Sequence, residues 1–81
     1  MDIVIKNIPV SVQVSDLMEL CSQYGYFEKI TIYVLNDAVQ MTAFVRYMDD
    51  VDASKAVAGL HQMVVGGRKL HVERARVQRN F

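Results

Sequence analysis

Cysteine is almost missing from this chain: Cys21 stands alone among 81 residues. It can close no internal disulfide and offers no cysteine cluster for zinc, and its scarcity fits a reducing compartment. Long hydrophobic runs are missing too. No stretch approaches the ~20 apolar residues of a membrane-spanning helix. The start, Met1-Asp2-Ile3-Val4, lacks the basic segment expected of a signal peptide. Neither sign of charge is in excess, with nine Lys and Arg against nine Asp and Glu.

What is present is enough for one small domain. About half the residues, 52%, are hydrophobic. A chain of this length buries only ~60–65% of its unfolded surface, so moderate stability is expected. The charge is balanced but unevenly spread. Residues 68–81 carry Arg68, Lys69, Arg74, Arg76 and Arg79 against Glu73 alone, whereas residues 1–67 carry eight acids against four bases. Any basic face for a nucleic acid must therefore draw on the C-terminal end; the plain alternative is a solvated tail.

The hydrophobic pattern switches period along the chain. Ile3 to Ile8 is apolar and β-branched, stops at Pro9 and predicts a strand over 2–8. Ser15 is placed to cap a helix over 15–24, with Asp16 in its first turn and Leu17, Leu20, Cys21 and Tyr24 at helical spacing before Gly25. Strict alternation predicts strands over 28–34 and 40–47, separated by Asn36-Asp37. Asp49 and Asp50 open a second helix over 50–61, with Ala53, Ala56, Val57 and Leu60 as its stripe. Gly66-Gly67 then turns the chain into a last strand over 69–74.

The order is β-α-β-β-α-β, an α+β ferredoxin-like arrangement: a four-stranded antiparallel sheet, two helices on one face, the other face open. Such a fold hosts many functions. A small metal carrier of this shape needs paired cysteines after the first strand, where this chain has Pro9-Val10-Ser11-Val12. A phosphate-cleaving version needs a Gly-rich or Arg-bearing anion loop in the same place. His61 and His71 are far apart in sequence, have no acid arranged as in a triad and read as surface histidines. The expectation is a binding module and not an enzyme, with no cofactor and no metal.

Two strands then acquire a further meaning. Gln40-Met41-Thr42-Ala43-Phe44-Val45-Arg46-Tyr47 resembles the octapeptide of the RNA-recognition-motif (RRM) family, and Ile3-Val4-Ile5-Lys6-Asn7-Ile8 resembles its hexapeptide. Asp16-Leu17 through Ser22-Gln23-Tyr24-Gly25 is similar to the family's first helix and its exit, and Gly67-Arg68-Lys69-Leu70-His71-Val72 with Ala75 to its last strand. The resemblance covers nearly the whole chain. It implies an RRM domain over 1–75 with a basic tail over 76–81, part of a longer parent protein, in the nucleus or cytoplasm.

The resemblance also implies bases stacked on three aromatics of the open face. Phe44 is retained, but Thr42 and Val4 stand at the other two positions, and Gln40 and Met41 replace the usual basic residue and glycine. Strand parity places Val4, Lys6, Thr31, Tyr33, Thr42, Phe44, Arg46, His71 and Glu73 on the open face, and turns Tyr47 into the core. The expected RNA contacts are Lys6, Tyr33, Phe44, Arg46 and His71, with Arg74 and Arg76 just past the last strand. The loop from Leu35 to Ala38 is short and carries Asp37, so it cannot wrap far over a strand. The first reading is weak single-stranded RNA binding on the sheet. The second is a protein–protein adaptor without RNA, using apolar residues around the first helix and before the last strand: Val10, Val12, Val14, Met18, Met63, Val64 and Val65.

Overall fold

A computed structural model describes residues 2–34 and 39–75 of the chain. The elements are β1 (Asp2–Pro9), α1 (Val14–Ser22), β2 (Phe27–Val34), β3 (Gln40–Tyr47), α2 (Asp50–Leu60), β4 (Val64–Val65), β5 (Arg68–Lys69) and β6 (His71–Arg74). β2, β3, β1 and β6 form one antiparallel sheet in that spatial order, as expected from the period switches. The two helices lie on one face. Leu17 and Cys21 of α1 and Ala53, Ala56 and Leu60 of α2 pack on Ile3, Ile5, Ala43, Val45 and Val72 of the sheet.

Tyr47 sits in this core at 1% exposure, as its parity requires. Its hydroxyl donates to the Cys21 carbonyl at 2.6 Å, which satisfies a group that burial would otherwise penalise. Its ring meets Phe27 edge to face at 6.3 Å. Burial pushes the Cys21 thiol up to about 11 and raises the Tyr47 phenol as well, so neither ionises near neutrality.

Three local features differ from the expectation. Ser15 is not the helix cap. The helix begins one residue earlier at Val14, after Gln13, whose carbonyl accepts from the Asp16 and Leu17 amides, and it ends at Ser22. Tyr24 therefore lies beyond α1, and it packs so tightly on α2 that a Cβ at Gly59 would come within 2.3 Å of its hydroxyl.

The last strand is broken in two. Gly66 and Gly67, at φ +57° and +83°, make a two-residue hairpin turn that only positive φ allows, and it pairs β5 with β4 rather than with the main sheet. Leu70, 1% exposed, anchors the chain before β6 joins β1.

The third feature is a bulge in β1. Ile5 pairs with Ala43 but Ile8 pairs with Met41, so Lys6 and Asn7 share the space opposite one residue of β3. Asn7 takes φ +66°, a region asparagine tolerates better than most residues. Its amide donates to the Lys69 carbonyl at 2.8 Å, and its side-chain oxygen accepts from Arg68 at 2.9 Å. Without the extra residue, Ile8 would face the open side; with it, Ile8 is fully buried.

Candidate nucleic-acid interface

The sheet register arranges the open face in rows. One row runs Asp2, Arg46, Lys29. The next runs Glu73, Val4, Phe44, Thr31 across all four strands. A third pairs His71 with Lys6 on one side of the bulge and Thr42 with Tyr33 on the other. No helix covers these rows, because both helices lie on the opposite side.

The centre of the face is aromatic. Phe44 and Tyr33 meet edge to face, with centroids 5.6 Å apart and planes at 87°. Both stay open to solvent, at 39% and 51% exposure. The pair is thus at once a cross-strand contact and an accessible surface. Val4 has the expected parity but not the expected exposure. Flanked by Phe44 and Glu73, it is 5% exposed and forms a low apolar floor between them.

The charged residues divide. Lys6 is exposed beside His71. Arg46 is on the open face but already engaged: its Nε meets Asp2 Oδ1 at 2.9 Å and its Nη2 meets Oδ2 at 3.3 Å. That bond holds the guanidinium protonated even more firmly than usual and leaves the pair neutral. Any phosphate at Arg46 must share it with Asp2.

Arg74 is not brought to the open face. It belongs to β6 and is not past its end, and its parity matches Val72, toward the helices. Its guanidinium bonds Asp50 and the Ser54 hydroxyl on α2. Arg76 and the rest of the proposed tail, with Arg79 and Phe81, lie outside the described residues, as does the loop from Leu35 to Ala38.

His71 is exposed on the open face, and its Nε2 meets Glu73 Oε2 at 2.9 Å. The fold also brings it to His61, edge to face at 5.1 Å, despite their separation in sequence. His61 Nδ1 accepts the Val72 amide at 3.0 Å. That amide points away from β1, so the ring closes part of the free edge of β6. Asp2 is not among the contacts expected from sequence, and His61 reads there as a surface histidine; the structure places them against the candidate RNA contacts Arg46 and His71. Asp2 was legible only through its register opposite Arg46; His61 had no signal, since the contact depends on the chain's path after α2.

On the helical side, Val10, Val14, Met18 and Val64 are exposed, whereas Val12, Met63 and Val65 pack against the core. Tyr26, Met48 and Val51 are exposed as well. Among the described residues, no group of His, Cys, Asp and Glu is arranged to hold a metal ion, and no helix is long and apolar enough to cross a membrane.

An open antiparallel face with a central aromatic pair can stack a base, and a lysine beside it can meet a phosphate. Comparison with known proteins places the chain. Its fold is similar to RRM3 of Pes4, at 28% identity over 99% of this chain and 96% of that one, with a TM-score of 0.88. It is similar to RNA Binding Protein PG1, at 28% identity over 99% of both chains, with a TM-score of 0.82. It shares its fold with the Rna15 RRM solved with bound RNA (GU), at 19% identity over 94% of this chain and 83% of that one, with a TM-score of 0.81. No curated protein matches the sequence. Residues 3–71 match the RNA recognition motif, and the chain belongs to that family.

Proposed function

We propose that this chain is an RNA-binding module that takes up single-stranded RNA on its open sheet face. The observation that carries the reading is the uncovered Phe44–Tyr33 pair at the centre of that face. Each base stacked on an aromatic is worth ~1–3 kcal/mol, and with Thr42 and Val4 at two usual stacking positions the affinity is modest. Lys6 and His71 flank the pair as polar contacts, and Arg46 contributes only by sharing its guanidinium with Asp2. The Rna15 RRM, similar in fold, was solved with bound RNA (GU), which supports RNA as the ligand. Residues 1–75 are the binding domain, and Arg76 in the segment 76–81 adds phosphate contact. An intracellular setting, nuclear or cytoplasmic, follows from such a ligand.

The test is an NMR titration of the chain with short mixed-sequence RNAs. Resonances of β1, β3 and β2 around Phe44 and Tyr33 shift, and those of the helices do not. Val4→Tyr with Thr42→Phe restores two aromatics on the same face and tightens binding. Shifts confined to the helical side overturn the reading.

A second reading, a protein–protein adaptor, draws on the exposed Val10, Val14, Met18 and Val64. A charge at Met18 or Val64 would then abolish partner binding and leave the fold and RNA affinity unchanged.

A further inference from the structure

The charges of the molecule are sorted along the strands. Near the end where β1 begins, both arginines are bound by carboxylates, Arg46 by Asp2 and Arg74 by Asp50. Toward the other end stand Lys6, Arg68 and Lys69, and among the described residues no carboxylate pairs with any of them. Arg68 donates instead to the neutral side-chain oxygen of Asn7, and the Asn7 amide holds the Lys69 carbonyl. The bulge of β1 and the β4–β5 hairpin thus gather three cations at one corner with no bound acid.

The same corner is apolar. Val64 is paired with Lys69 across the hairpin, so the two side chains share a face, and Val64 is 62% exposed. The hairpin turn lies against the loop after β1: a Cβ at Gly66 would come within 3.1 Å of the Pro9 ring and 3.8 Å of Val12. Between those two residues Val10 is 50% exposed. The backbone around both valines is fixed. The Val12 amide donates to the Pro9 carbonyl at 3.0 Å, and the Leu70 amide to the Met63 carbonyl at 2.9 Å. A surface held in place before a partner arrives loses little freedom on docking.

Exposed apolar side chains rimmed by one sign of charge have the anatomy of an interface. Cations at such a rim favour a partner of opposite charge and reject a basic one. A phosphate backbone would meet the cations but leave Val10 and Val64 in water, so a polypeptide fits the corner better than RNA. Building on the protein-binding surface of the second reading above, we infer that the β4–β5 hairpin and the Val10 loop dock an acidic protein segment. Its apolar anchor, a leucine or an aromatic side chain flanked by Asp or Glu, rests on Val10 and Val64.

The experiment titrates the isotope-labelled chain, by NMR, with peptides of one length that share a central leucine pair. Their flanking residues are glutamates, glutamines or lysines. The glutamate peptide shifts the resonances of Val10, Val64 and Lys69 and binds about tenfold more tightly than the glutamine peptide, and the lysine peptide binds more weakly still. Lys69→Glu, at an exposed position, removes the preference for glutamate. Val64→Ser weakens the glutamate and glutamine peptides alike, about fivefold. Equal affinity of the natural chain for the glutamate and glutamine peptides overturns the inference and leaves the protein-binding reading standing. Absence of binding to all of the peptides overturns both. An oligouridylate that shifts Val10 and Val64 as strongly as the glutamate peptide assigns the corner to RNA and overturns the inference. So does a dimer of the natural chain in sedimentation that Val64→Ser dissolves, because a second copy then covers the corner.

Discussion

The two faces of one sheet come from the same strands, residue by residue, yet they carry opposite properties. On the helical face Ile3, Ile5, Ala43 and Val45 are completely buried. One residue along, Phe44 is 39% exposed and Lys6 and Arg46 are in solvent. The first face is closed by α1 and α2 and makes one continuous core. The second keeps its aromatic pair uncovered and has the Asp2–Arg46 ion pair and the His71–Glu73 contact lying along the surface. Exposed pairs of this kind contribute ~0–1 kcal/mol each. Stability therefore belongs to one face, and the other is left uncovered.

Substitutions that separate the faces sharpen this contrast. The largest effect is expected at Leu60, fully buried at the end of α2. Leu60→Ala should cost ~2–5 kcal/mol in urea unfolding, a large part of the stability of so small a domain. RNA affinity measured on the remaining folded fraction should not change.

High pH attacks the same face. Burial raises the Cys21 thiol from 9.0 to about 11, and the Tyr47 phenol is raised as well. For a group raised in the folded state, the stabilisation is fully present below the unfolded pKa and is lost as pH rises through the folded one. Stability should therefore be insensitive to these two groups between pH 6 and 8 and fall steadily from about pH 9 to 11, by roughly 2 kcal/mol for Cys21 alone. Denaturant midpoints across that range measure it. A thiol reagent at pH 8 should label Cys21 only as fast as the domain opens.

Phe44→Ala tests the other face. It should reduce RNA affinity by ~1–3 kcal/mol, about fivefold to a hundredfold or more. The stability cost is smaller, ~0.5–1.5 kcal/mol for the lost edge-to-face pair with Tyr33. A variant that loses as much stability as Leu60→Ala would break the comparison, because Phe44 would then be structural.

The smallest effect concerns two cations on opposite sides. Lys6→Gln should flatten the slope of log K against log salt by about 0.7, the value for one phosphate on a single strand. Arg74→Gln should leave that slope unchanged, since its guanidinium is bound to Asp50 and Ser54 on α2. Equal slopes for both variants would break the division into faces.

Much of this division was legible in the chain. Period-2 alternation in Lys29–Val34 and Gln40–Tyr47 assigned the faces of β2 and β3, because side chains on a strand alternate whatever lies beyond it. Tyr47 was correctly turned inward on that ground alone. The helix positions follow from apolar spacing, but the cap is Gln13 and not Ser15, since several polar residues precede the stripe and only backbone geometry chooses among them. The site was partly legible. Phe44, Tyr33, Lys6 and His71 are on the open face as parity predicted. Arg74, expected just past the last strand, instead alternates with Val72 inside β6 and faces α2.

The sequence by itself determined the order of the four main strands and two helices, the faces of β2 and β3 and most of the core, since all three rest on local periodicity and on the preference of apolar groups for burial. Only the tertiary structure decided the rest. It set the bulge at Asn7, the burial of Val4 between Phe44 and Glu73, the capture of Arg46 by Asp2 and the meeting of His61 with His71. Each of these depends on strand register or on contact between residues distant in the chain. Such pairings are fixed by the packing of the whole domain, so no window of neighbouring residues contains them.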